Sequence, residues 1–224
     1  RGLGDVYKRQ ILIIGLLALF GLGACKDNQA TSNSKGDKLH IVATFYPMYD
    51  FTKHIVGDAG DVSLLMPAGS EPHDYEPSAK DMAKISEADA FVYHNENMEG
   101  WVPSAIKSWK KGAPNVIEGT KGMVLLPGGE EEHDHSHEEG HHHELDPHTW
   151  VSPHRAIKEV TSIKDQLITL YPDKKATFEK NAQNYLTKLE ALDKEFSAEL
   201  KNAKQKDFVT QHTAVSYTHL TLPT

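Results

Sequence analysis

Residues 38–51 read KLHIVATFYPMYDF, and this stretch decides the class of fold. A short β-branched and aromatic run gives way to a helical pattern over Met48–Val56, which is the opening of a strand–helix unit. The same alternation then repeats. DVSLLMP (61–67) reads as a second strand, a Pro/Gly-rich loop fills 67–77, and a helix is expected around 78–87. DAFVYHN (89–95) gives a third strand and PNVIEGT (114–120) a weaker fourth. Strands alternating with helices predict an α/β fold with a parallel sheet. In such sheets, ligands bind in the loops at the carboxyl ends of the strands.

Further along, a helix is expected from Pro153 to Leu170, and Pro172 opens a longer one. Phe178, Ala182, Tyr185, Leu189, Leu192, Phe196, Leu200 and Ala203 recur at steps of three and four, a sustained apolar stripe. A helix over 173–203 would be roughly 45 Å long, more than one small lobe needs, so it is expected to bridge two lobes. KDFVTQHTA (206–214) then begins a new strand. The remainder is too short for a second lobe, and the chain is expected to be cut short. The domain reading is therefore a first α/β lobe over 38–171, a bridging helix over 172–204 and only the start of a second lobe at 205–214.

The amino-terminal end reads as a targeting segment. Residues 11–24, ILIIGLLALFGLGA, form an apolar run preceded by Lys8 and Arg9, too short to span a bilayer comfortably and typical of a secretory signal. It ends in LGAC, and Cys25 is the chain's only cysteine. Leu22, two small residues and then cysteine form a lipobox pattern, so residues 1–25 are expected to be a signal peptide and Cys25 a lipidation site. Acyl chains there would hold a soluble body at the outer face of a membrane. Residues 26–37, KDNQATSNSKGD, suit a flexible tether. The extreme segments 1–10 and 215–224, including His219, lack structural logic and read as foreign.

Composition narrows the chemistry. A net charge of −8 over 224 residues argues against nucleic acid as a partner. A lone cysteine makes neither an internal disulfide nor a thiolate metal cluster. The chain has 14 histidines, however, seven of them in EEEHDHSHEEGHHHELDPHTW (130–150). With cysteine unavailable, a metal site must come from His, Asp and Glu. Three histidines sit where the backbone is stiff: His73 between Pro72 and Pro77, His148 after Pro147 and beside Trp150, and His212 just past an apolar run. Stiff backbones lose less entropy when their side chains converge on one ion. Taken singly, each of them reads more readily as a surface residue than as a ligand, and no short zinc signature such as HExxH is present, so spacing alone permits a three-histidine site without requiring it.

The remaining histidines divide into two groups. His40, His54 and His94 remain lesser candidates for a metal and read more readily as structural or solvent-facing, and His154 is expected to belong to the helix that follows. His133, His135, His137, His141, His142 and His143 are interleaved with Glu and Gly in segment 128–145, expected to be a mobile loop that collects metal loosely in many arrangements. An ordinary imidazole pKa of about 6.5 leaves such a collector neutral and competent at neutral pH.

Taken together, IVATFYPMYDFTKHIVGD, LMPAGSEPHDYEPSAKDM, the acidic histidine-rich segment, DPHTWVSP and FVTQHTA resemble the zinc-binding lipoproteins of bacterial ABC importers, the AdcA/ZnuA-type solute-binding family. The resemblance covers about residues 38–214. It implies two α/β lobes joined by one long helix, with the metal in the cleft between them. It further implies that His73 and His148 are ligands from the first lobe and His212 the third ligand, from the second. Manganese-binding relatives usually carry a carboxylate at that third position, so His212 favours zinc, as does the softer imidazole set. Zn²⁺ is then cargo, a membrane permease is the partner, and the lipid anchor sets the location at the extracytoplasmic face. Where the family continues with an aromatic residue after HTA, this chain has Val215. Other readings stay open at this point: a manganese or broad divalent-metal receptor, a three-histidine zinc hydrolase using Glu71 or Glu76, or a surface adhesin.

Overall fold

The computed structural model of the chain describes residues 38–109, 112–127 and 145–204. Cys25, the tether, the six loop histidines from His133 to His143, and His212 lie outside these residues. Four strands form one sheet: β1 (Leu39–Ala43), β2 (Gly60–Leu64), β3 (Ala90–Tyr93) and β4 (Asn115–Glu118). All pairings are parallel and the order is β2-β1-β3-β4. Parallel neighbours need crossovers, supplied by α1 (Tyr46–Val56), α2 (Ala79–Ser86) and α3 (Val102–Ser108). Two further helices follow, α4 (Pro153–Leu170) and α5 (Lys175–Leu200). The chain leaves β1 toward one edge and later places β3 on the other side of it, so the strand order reverses between β1 and β3. That switch point is where open α/β sheets bind ligands.

The strand period of two sorts the core into two layers. Ile41, Ala43, Ala90, Val92 and Ile117 face α1, α4 and α5, whose Met48, Ile55, Val160, Ile163, Leu167 and Phe178 are fully buried. The intervening Val42 and Phe91 face Ile85 of α2 and Val102 of α3. Burial on both faces is why these strands read as nearly continuous apolar runs.

The helix ends depart slightly from the sequence expectation. Helix α1 starts at Tyr46 rather than Met48, because Pro47 is tolerated in a first turn where its missing N–H is not needed. The long helix starts at Lys175, since Pro172–Lys174 forms a separate 3₁₀ turn, and it ends at Leu200. Its 26 residues span about 39 Å instead of roughly 45 Å. Its stripe is also divided. Phe178 and Ala182 are buried and Tyr185 and Leu189 half-buried against α1 and α4, whereas Leu192 and Phe196 are 39% and 38% exposed. Helix α3 was not anticipated. None of the described helices is long and apolar enough to cross a membrane.

At the end of α1, Gly57 has φ +54° and ψ −131°, a region open only to glycine. A Cβ there would also lie 2.6 Å from Nδ2 of Asn181, which donates to the Ile55 carbonyl at 3.2 Å and ties α5 to α1. Gly57→Ala is therefore expected to destabilise the chain by about 1–3 kcal/mol, read as a lower urea midpoint at unchanged slope. An unchanged midpoint would contradict this account of the α1–α5 junction.

Candidate metal centre

His73 lies in the loop between β2 and α2, and both ends of that loop are fixed locally. At its start, Gly69 (φ +83°) follows Ala68 in a turn closed by Ser70 N–H donating to the Pro67 carbonyl at 3.2 Å. At its end, Ser78 and Asp81 form a reciprocal capping box on α2, Asp81 N–H to Ser78 Oγ at 3.2 Å and Ser78 N–H to Asp81 Oδ2 at 3.0 Å. Ser78 also lowers the Asp81 carboxyl below its ordinary range. His73 itself is exposed, with its amide directed at Glu71 Oε1 at 3.4 Å.

His148 arrives from the far side of the molecule, on the turn leading into α4. Its side chain is buried, only 4% exposed. Its Nδ1 donates to Asp146 Oδ1 at 2.7 Å, and its amide donates to the same oxygen at 3.0 Å. With Nδ1–H committed to a carboxylate, Nε2 is the nitrogen that can present a lone pair. That Nε2 lies 3.0 Å from Nε2 of His73. Two ligands at 2.0–2.1 Å from a tetrahedral zinc ion are about 3.3 Å apart, so the pair needs to open by only a few tenths of an ångström to grip one. Trp150 packs its ring 5.3 Å from His148, and Phe45 stands 5.0 Å from Trp150, an apolar wall that limits water at this point.

Under His148 lies a polar layer that the sequence reading did not assemble. Glu99 is 1% exposed; its carboxylate accepts Thr44 Oγ1 at 2.6 Å, His94 N–H at 3.0 Å and Asn95 N–H at 3.1 Å. It thereby joins the carboxyl ends of β1 and β3 at the switch point. His94 is fully buried and donates through Nε2 to the Pro147 carbonyl; its Nδ1 lies 3.5 Å from Glu159 Oε2. Thr149 Oγ1 donates to Glu159 Oε1. Burial alone would lower the His94 imidazole, but Glu159, Glu99 and the Pro147 carbonyl together hold it above its ordinary range. Burial pushes the Glu99 carboxyl up, against the opposing pull of His94 and its hydrogen bonds.

The structure thus brings together two of the three histidines singled out from sequence, while His212 lies outside the described residues. Among the described residues, no group of three or more His, Cys, Asp or Glu is arranged to hold a metal ion. His40 and His154 are exposed; His54 stacks on Tyr185 at 4.1 Å and bonds the Asp50 carbonyl at 2.9 Å. His94 is fully buried and lies directly beneath the site. Asp146 was visible in DPHTW as a residue able to bond its own backbone two residues on, the one signal that could have been taken.

An α/β lobe that aims two imidazoles at one point, one of them oriented by a buried carboxylate, has the make-up of a metal-binding lobe. Comparison identifies which one: residues 41–221 match the ZnuA family, zinc-uptake complex component A, periplasmic, and the chain belongs to that family. The chain is 56% identical over 212 residues to the zinc-binding lipoprotein AdcA of Streptococcus pneumoniae, covering 94% of this chain and 41% of that protein. It is 49% identical over 217 residues to the high-affinity zinc uptake system protein ZnuA of Bacillus subtilis, covering 95% and 68%. The crystal structure of the Zn(II)-bound ZnuA-like domain of S. pneumoniae AdcA superposes with a TM-score of 0.74 at 54% identity, over 82% of this chain and 63% of that one. The chain thus spans well under half the length of AdcA.

Proposed function

We propose that this chain carries the metal-capturing first lobe of an extracytoplasmic zinc receptor that delivers Zn²⁺ to the membrane permease of an ABC importer. The observation that carries this reading is the 3.0 Å approach of His73 Nε2 to His148 Nε2, with Asp146 fixing the tautomer of His148. Family membership and the zinc-binding names of the relatives support it. In this reading His73, His148 and His212 ligate the ion, and three imidazoles favour zinc over manganese, which prefers oxygen donors. Cys25 carries the lipid anchor, in keeping with the lipoprotein name of AdcA. A hydrolytic reading has less support: Glu71 turns its carboxylate toward the His73 amide, and the family is one of uptake components. Titration of the chain with Zn²⁺ against a competing chelator tests the proposal. One tight site per chain is expected; binding no tighter than that of free histidine would overturn it.

The histidine-rich segment takes a subordinate role in this proposal. An antiparallel bridge between Pro127 and Leu145 closes its base, and Leu145 adjoins Asp146, so the segment leaves and re-enters the fold beside the site. The Glu- and Gly-interleaved sequence gives these histidines no rigid support, and ordering such a stretch would cost on the order of 1–2 kcal/mol per residue, which weakens any ion held by it alone. Deleting residues 130–143 is expected to leave the tight zinc site intact, remove additional weak ones and slow zinc capture at scarce metal. Loss of the tight site on deletion would make the segment the primary site instead.

A further inference from the structure

We infer that His94 is a positioning residue for metal capture: by holding the Pro147 carbonyl it fixes the peptide plane from which the His148 ligand departs. The inference rests on the proposed role of His148. The peptide between Pro147 and His148 is gripped on both edges. On one edge, the Pro147 carbonyl accepts from His94 Nε2 and from Thr149 N–H, the latter at 2.8 Å. On the other, the His148 amide donates to Asp146 Oδ1 at 3.0 Å. A peptide plane held at both its C=O and its N–H has no freedom to rotate, and the direction of the His148 Cα–Cβ bond follows from it. The ring torsion is then set by the 2.7 Å bond from Nδ1 to the same Asp146 oxygen.

His94 is suited to this task because it is itself immobile. It is 0% exposed, directly follows β3, and its own amide is bound by Glu99. Glu159 of α4 faces its Nδ1 at 3.5 Å, and the Phe45 and Trp150 rings stand edge-on to it at 5.8 and 5.1 Å. The chain of support therefore runs from the sheet through Glu99 and His94 to the Pro147 carbonyl, and so to the His148 ring. Nothing in it touches the metal point directly. Removing it should loosen the ligand without removing it, and partners that orient a ligand typically change metal affinity 10- to 100-fold, about the size expected here.

The test compares two replacements. His94→Leu keeps an apolar side chain of similar bulk but has no donor for the Pro147 carbonyl. His94→Gln carries an amide nitrogen that can reach the place of Nε2. Zinc affinity is measured for both by chelator competition, at a temperature where circular dichroism shows each variant folded, and the visible absorption of bound Co²⁺ reports ligand geometry. His94→Leu is expected to weaken zinc at least about tenfold and to alter the Co²⁺ spectrum, and His94→Gln to restore both to within about threefold of the parent chain. Where His94→Leu does not fold, His94→Asn, whose shorter amide falls short of the place of Nε2, takes its part: a loss in folded His94→Asn that His94→Gln does not show supports the inference, and equal affinities in the two overturn it. Parental affinity in folded His94→Leu overturns it too, leaving His94 a purely structural residue. If His148→Ala also binds zinc like the parent, the site proposal fails along with it; if His148→Ala loses zinc while His94→Leu does not, the positioning inference alone fails.

Discussion

Alanine at His148 is expected to lower zinc affinity at least about tenfold, or about 1.4 kcal/mol, and by more than alanine at His73. Both changes remove one imidazole, so the difference lies in what each proposed ligand contributes before the metal arrives. His148 is buried, its ring direction is set by Asp146, and its backbone is held on both sides. Almost no rotamer freedom remains for zinc to quench. His73 is exposed where His148 is buried, so its side chain loses more rotamer freedom on binding and returns less net free energy. His148→Ala also leaves the Asp146 carboxylate without the imidazole it orients. Calorimetric titration against a chelator gives the two affinities. Equal, parental affinities in both variants would remove these histidines from the site, and a larger loss at His73 would reverse the argument about preorganisation.

How much of this was legible in the sequence depended on the kind of signal. The four strands and α4 were legible because burial on both faces gives short apolar runs such as FVY at 91–93, and because Pro153 and Leu170 bound a clear helical period. Helix α3 was not: its seven residues, VPSAIKS, hold too few turns for a period, and Pro103 reads as a loop residue unless the helix start is already known. His73 and His148 could be nominated from proline-stiffened loops, but their convergence is a contact across 75 positions that no local pattern encodes. The polar layer was least legible. Glu99 and Glu159 are charged residues in otherwise ordinary contexts, and local pattern predicts exposure for them; tertiary packing overrides it because Thr44 and the amides of His94 and Asn95 bond the first, while Thr149 bonds the second and the His94 ring faces it at 3.5 Å. His212 and the loop histidines stand where sequence left them, outside the described residues.

Glu159→Ala is expected to damage the fold severely, with a loss of about 3–5 kcal/mol. Its carboxylate is 0% exposed, accepts Thr149 Oγ1 and faces Nδ1 of His94, whose proton affinity it raises. Removing it leaves a buried imidazole without its main counter-charge, frees a buried hydroxyl and opens a cavity beneath the metal point. An exposed pair gives the contrast: Lys38 and Asp61 lie 3.7 Å apart with both side chains more than half exposed, and Lys38→Ala should change stability by no more than about 1 kcal/mol. Against a typical domain stability of about 5–15 kcal/mol, the first loss threatens folding and the second does not. Glu159→Gln separates charge from hydrogen bonding. The amide can still accept from Thr149 but offers no negative charge to His94, so a loss between those of the other two variants is expected in urea denaturation. A loss below about 1 kcal/mol for Glu159→Ala would mean that His94 is neutral in the folded chain and that its hold on the Pro147 carbonyl needs no carboxylate behind it.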